Sequence, residues 1–183
     1  SDDPDTPYII PGMLVQGGLC VLAGEPKTGK SWLLYQMILS VASGTVMPPY
    51  EYSKVPAKKV LLIANEGSQA GIKARLAALA KGMGLDLAAT LANIGIIVGT
   101  QFLLDDHKAT LEHLAAEYDL ICVDVLANAW YGKEDSNDEV KQMIGLIRPA
   151  ITAGATVLLV HHFGKVSATS GSRGGQRMRG ASA

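Results

Sequence analysis

Charge is scarce in this chain. Only 18% of its 183 residues are Asp, Glu, Lys or Arg, and the net charge at pH 7 is −1. That balance gives no global electrostatic case for nucleic acid. Cysteine is scarce as well: the two present, Cys20 and Cys122, each sit inside a short apolar run. Such thiols read as core residues, and nothing in their placement suggests a disulfide framework or a zinc site. No apolar run approaches the roughly 18 residues a membrane span needs. No signal-peptide pattern opens the chain, so the expected compartment is a reducing cytoplasm, with no membrane partner. No internal repeat is visible, and no G-x-G-x-x-G follows the first strand, which excludes a Rossmann site.

What is there is apolar and alternating. Hydrophobic residues make up 48% of the chain, enough for one α/β domain and its core. Short apolar strands are expected at Leu19–Ala23, Lys59–Ala64, Ile94–Val98, Leu120–Asp124 and Thr156–His161. Between them lie helical patterns: Gly29 to Ala42, ended by Gly44; a helix capped by Ser68; one capped by Asp106; and one opened by a Ser136/Glu139 capping box. Pro149 is expected to end or kink the last. Alternation of this kind predicts a mainly parallel sheet between two helical layers. Three parts follow: an entry segment over 1–16, of which residues 1–11 read as polar and Pro-containing, a core over 17–163, and a Gly/Ser-rich basic stretch over 164–183.

The segment Gly24-Glu25-Pro26-Lys27-Thr28-Gly29-Lys30-Ser31 fits G-x-x-x-x-G-K-[ST] and lies between a strand and a helix. The placement matters as much as the letters. Glycine at both ends lets the backbone wrap an anion with its N–H groups pointing inward. The helix that follows presents its positive end to the same anion. Lys30 can reach the terminal phosphates of ATP, and the Ser31 hydroxyl can ligate Mg²⁺.

Two acids stand at the carboxyl ends of strands, where ligands bind in open α/β sheets. Asp124 ends Leu120-Ile121-Cys122-Val123 and fits the Walker B pattern, holding the Mg²⁺ shell. Glu66 follows Val60–Asn65 and can polarise an attacking water as general base. The alternatives are a turn-capping acid for Asp124 and a helix N-terminal acid for Glu66. Asp105, Asp106 and Asp119 read as loop or capping residues.

His161-His162 ends the last strand, where a polar group can sense a γ-phosphate. Neighbours in a strand face opposite ways, so only one of them can face a nucleotide, and a shared metal is disfavoured. Beyond them, residues 164–183 hold Lys165, Arg173, Arg177, Arg179 and no acid. A cationic, Gly/Ser-rich stretch beside such a site suits a phosphodiester backbone such as single-stranded DNA. A solvated loop near a subunit interface is the plainer reading.

In chain order these residues form a set: Gly17-Gly18, the loop Gly24–Ser31, Asn65-Glu66-Gly67-Ser68, Asp124, His161-His162-Phe163-Gly164-Lys165, and Arg179-Gly180-Ala181-Ser182-Ala183. The set resembles the RepA-type branch of the RecA/DnaB-like ATPases, which includes hexameric replicative helicases of plasmids and phages. The resemblance implies a three-layer RecA-like fold whose closing C-terminal strands and arginine finger are expected after Ala183. It implies Lys30 and Ser31 on phosphate and Mg²⁺, Glu66 as catalytic base, Asp124 as Walker B and His162 as γ-phosphate sensor. It also implies that residues between Lys165 and Arg179 face single-stranded DNA, and that subunits form a homo-oligomeric ring with ATP between them. A RecA-like regulatory ATPase acting on a protein partner is the alternative, since relatives of this kind include plain ATPases. A small-molecule kinase is disfavoured because residues 90–150 hold a single arginine, Arg148.

Overall fold

The computed structural model describes residues 7–45, 56–99, 108–124 and 137–162. The chain opens with an antiparallel pair, β1 (Tyr8–Ile10) and β2 (Leu14–Val15). Five parallel strands follow: β3 (Leu19–Gly24), β4 (Val60–Ala64), β5 (Ile94–Val98), β6 (Leu120–Asp124) and β7 (Thr156–His162). In space they run β3-β7-β6-β4-β5. The first strand of this sheet therefore pairs with the last, and β7 separates it from β6.

Strands β4 and β6 are buried at every position. That is what a parallel strand covered on both faces requires, and why both read as unbroken apolar runs. Alternate residues feed opposite layers. Val60, Leu62, Ala64, Leu120 and Cys122 pack with residues of α1 (Lys30–Ser43) and α2 (Gln69–Gly82). Leu61, Ile63, Ile121 and Val123 pack instead with residues of α4 (Lys108–Ala115) and α5 (Asn137–Thr152). The short α3 (Leu87–Leu91), capped by Asp86, joins the first layer beside α1. The result is the three-layer α/β/α RecA-like arrangement that the sequence implied.

Strand β3 is different. Among the described residues it pairs only with β7, and Leu19, Val21 and Ala23 are exposed while Cys20 and Leu22 pack inward. One face of the strand that leads into the phosphate loop is thus uncovered among the described residues.

Two expectations change. The leading segment is not merely polar: Ile9, Ile10 and Leu14 belong to the first core cluster. Pro11 and Gly12 make the turn, with Met13 N–H donating to the Ile10 carbonyl at 2.9 Å and Gly12 at φ 69°. Pro then Gly with positive φ is the type II arrangement, which folds the apolar flanks back together. Of the two outcomes expected at Pro149, an end or a kink, the end does not occur: α5 runs on to Thr152. Pro149 leaves the Gly145 carbonyl without its helical donor. Ile147 and Ala150 are nonetheless fully packed on either side of it, and packing carries the helix through.

Helix ends elsewhere follow the sequence. Gly44 closes α1 at φ 68°, donating to the Ser40 carbonyl, and Ser68 caps α2 by accepting from Gly71 N–H at 3.1 Å. Asp106 and Ser136 lie outside the described residues. No helix among the described residues is long and apolar enough to cross a membrane.

Candidate nucleotide site

The loop between β3 and α1 is built by its backbone. Gly29 adopts φ 90°, and the helix starts one residue later than its apolar pattern suggests, because a left-handed residue cannot be helical. Lys27, at φ 65°, is the one non-glycine residue with positive φ among the described residues. Local strain of this kind persists where surrounding contacts hold it. Here Thr28 Oγ1 donates to the Glu25 carbonyl at 2.8 Å and braces the turn.

Lys30 is 7% exposed and folds back into the loop. Its Nζ donates to the Gly24 carbonyl at 2.9 Å and to the Glu25 carbonyl. An ammonium is thereby parked at the centre of the turn. A Cβ at Gly24 would meet Lys30 Cδ and Thr28 Oγ1 at 3.5 and 3.6 Å, ordinary packing distances, so the lysine stem lies directly against this glycine. The N-terminus of α1 has no side-chain cap and no acid in its first turn, whereas Ser68 and Asp86 cap α2 and α3. Its first N–H groups are left for an outside acceptor, and an anion is the natural one.

The acids reach this place through the sheet. Ala64 pairs with Asp124 in register, and Asn65 N–H donates to the Asp124 carbonyl at 2.8 Å. That bond carries the β4–β6 ladder one step past Ala64 and holds Asp124 two residues from Glu66. Gly67, at φ 87°, then turns the chain so that α2 begins only at Gln69. Glu66 therefore lies outside the helix rather than in its first turn. A cavity of about 630 Å³ has Lys27, Lys30, Ser31 and Trp32 among its lining residues, together with Glu66 and Arg75. Its size suits a nucleotide-sized ligand.

Asp124 is 8% exposed and on the α1 side of the sheet. Tyr35 reports this. Burial first, then the charge of Asp124, push the Tyr35 phenol above its ordinary range, while a hydrogen bond from Arg75 opposes the shift. Tyr35 is one helical turn from Ser31, so the two residues lie on one face of α1. A serine hydroxyl and a carboxylate are oxygen donors of the kind Mg²⁺ takes, since that ion keeps several waters and needs few protein oxygens. Among the described residues no group of three or more His, Cys, Asp or Glu is arranged to hold a metal alone. The cysteines play no part: burial raises both thiols above their ordinary value, Cys122 most.

The histidines sit on the neighbouring strand. His161 and His162 are in register with Ala23 and Gly24, so β7 delivers both backbones to the root of the phosphate loop. Lys165, Arg173, Arg177 and Arg179 lie outside the described residues. Sequence reasoning passed over Trp32, Tyr35 and Arg75, and named Asn65 only as part of the motif set. For Trp32 a signal existed, its position directly after Lys30-Ser31; the others owe their place to packing.

A parallel sheet of this order, with a phosphate loop after its first strand and acids at the tips of β4 and β6, defines a P-loop ATPase domain. A family model for the AAA domain matches residues 1–168, and the chain belongs to that family. Comparison with curated proteins returned no match.

Proposed function

We propose that the chain is the Mg-ATP-hydrolysing motor domain of a RepA-like DNA helicase, working as a homo-oligomeric ring on single-stranded DNA. The observation that carries the ATPase part is the single cavity lined by Lys30, Ser31 and Glu66, with Asp124 beside it in the β4–β6 ladder. The DNA part is supported by the ordered motif set and by the acid-free basic stretch after Gly164.

In this reading the loop amides and the start of α1 hold the β- and γ-phosphates, and Lys30 leaves the Gly24 and Glu25 carbonyls for phosphate oxygens. Ser31 and Asp124 would hold Mg²⁺, which would supply charge neutralisation for the transferring group. Glu66 takes a proton from water as its oxygen attacks the γ-phosphorus. The bond to the β-bridging oxygen breaks, giving ADP and phosphate. His162, beside the loop on β7, senses the loss of the γ-phosphate and passes it to the basic stretch.

The test is ATP turnover with and without single-stranded DNA at low salt. Stimulation that declines steeply with salt, and weakens when Arg173, Arg177 and Arg179 are replaced by Ala, supports the reading. If DNA neither binds nor changes turnover, the helicase reading is wrong, and an ATPase acting on a protein partner takes its place.

A further inference from the structure

Trp32 directly follows the Lys30-Ser31 pair in the first turn of α1, and it is 50% exposed. The rest of that helix shows the opposite habit, with every residue from Met37 to Ala42 buried. The indole lines the same cavity as the phosphate loop, with Glu66 and Arg75 on the walls contributed by other elements. At about 630 Å³ the cavity is roomier than a chain of phosphates requires, so space remains for a nucleoside. A half-open indole at that position offers a flat apolar face that gains by being covered.

We propose that Trp32 is the stacking platform for the nucleobase of the bound triphosphate, which rests on the phosphate-loop reading above. An aromatic face covers a base without reading its hydrogen-bonding edge. The ligand class is therefore purine nucleoside triphosphates in general, with pyrimidines weaker because their rings stack over less area.

Affinities of Mg-ATP and of Mg-tripolyphosphate, for the wild-type chain, Trp32→Ala and Trp32→Phe, test it. Trp32→Ala should weaken ATP about tenfold, with GTP following ATP, and leave tripolyphosphate unchanged. Trp32→Phe should recover most of the loss. An equal loss for both ligands overturns the proposal by making Trp32 a prop for the loop, and no loss for either overturns it by making the indole idle. A wild-type chain that binds tripolyphosphate as tightly as ATP also overturns it, while leaving the phosphate loop in place. Binding of neither ligand removes the phosphate-loop reading and this inference with it.

Discussion

Asn65 N–H donates to the carbonyl of Asp124 across 2.8 Å, one step beyond the last paired residues of β4 and β6. This bond joins the strand that delivers Glu66 to the strand that ends in Asp124. Two acids separated by 58 positions in the chain thereby share one edge of the sheet. Their distance from the phosphate loop is then set by strand order alone, since β7 lies between β6 and β3.

Glu66 lines the cavity and precedes α2, which begins at Gln69. Glu66→Gln keeps the size and shape of the side chain and removes its basicity. ATP binding should persist, and turnover should fall by roughly 10²- to 10⁴-fold. Steady-state hydrolysis measured beside equilibrium nucleotide binding decides this; unchanged turnover takes Glu66 out of the chemistry.

Lys30 supplies the one buried ammonium of the loop among the described residues. Lys30→Ala should abolish the stabilisation that ATP confers while leaving the secondary structure intact. In the wild type, ATP at a hundredfold excess over its Kd should add about 2.7 kcal/mol. Thermal unfolding with and without Mg-ATP reads both; equal shifts in wild type and variant would contradict the assignment.

The Asn65 side chain is 2% exposed, and neither its Oδ1 nor its Nδ2 has a hydrogen-bond partner. A buried amide with both ends unmet costs on the order of 1–3 kcal/mol. Asn65→Leu, close in volume, should therefore raise the unfolding free energy or leave it level, and should lower ATP turnover if the amide serves the neighbouring Glu66. Chemical denaturation is the check. A loss above about 1 kcal/mol would mean that the amide is bonded in solution.

Alkaline pH should unfold the chain. Burial, and then Asp124, raise the Cys122 thiol above its ordinary 9.0, and the same two causes raise Tyr35 above 10.0. The folded state then keeps protons that the unfolded chain has released. The Cys122 contribution is complete below about pH 9 and shrinks above it by about 1.4 kcal/mol per pH unit; Tyr35 adds a smaller loss of the same sign above about pH 10. Urea midpoints taken from about pH 8 to 11 should follow that slope. In Cys122→Ala the slope should flatten by one group, whatever the variant's absolute stability.

Chain order alone told where the phosphate loop is, because its parts are contiguous. Gly24, Gly29, Lys30 and Ser31 act through their own backbone angles and the helix they open, and none of that needs a distant partner. The strands β4 and β6 were legible for a related reason: burial on both faces demands unbroken apolar runs, and the runs stop where the acids begin. The tertiary structure decided the remainder. Ile9, Ile10 and Leu14 are core residues only because a Pro-Gly turn folds them onto α1, and Pro149 stays helical only because its neighbours are packed. Tyr35, Arg75 and Trp32 come to the site from two helices that are neighbours in space. Spacing along a chain cannot express such a relation, because which faces meet depends on how the whole sheet orders its strands.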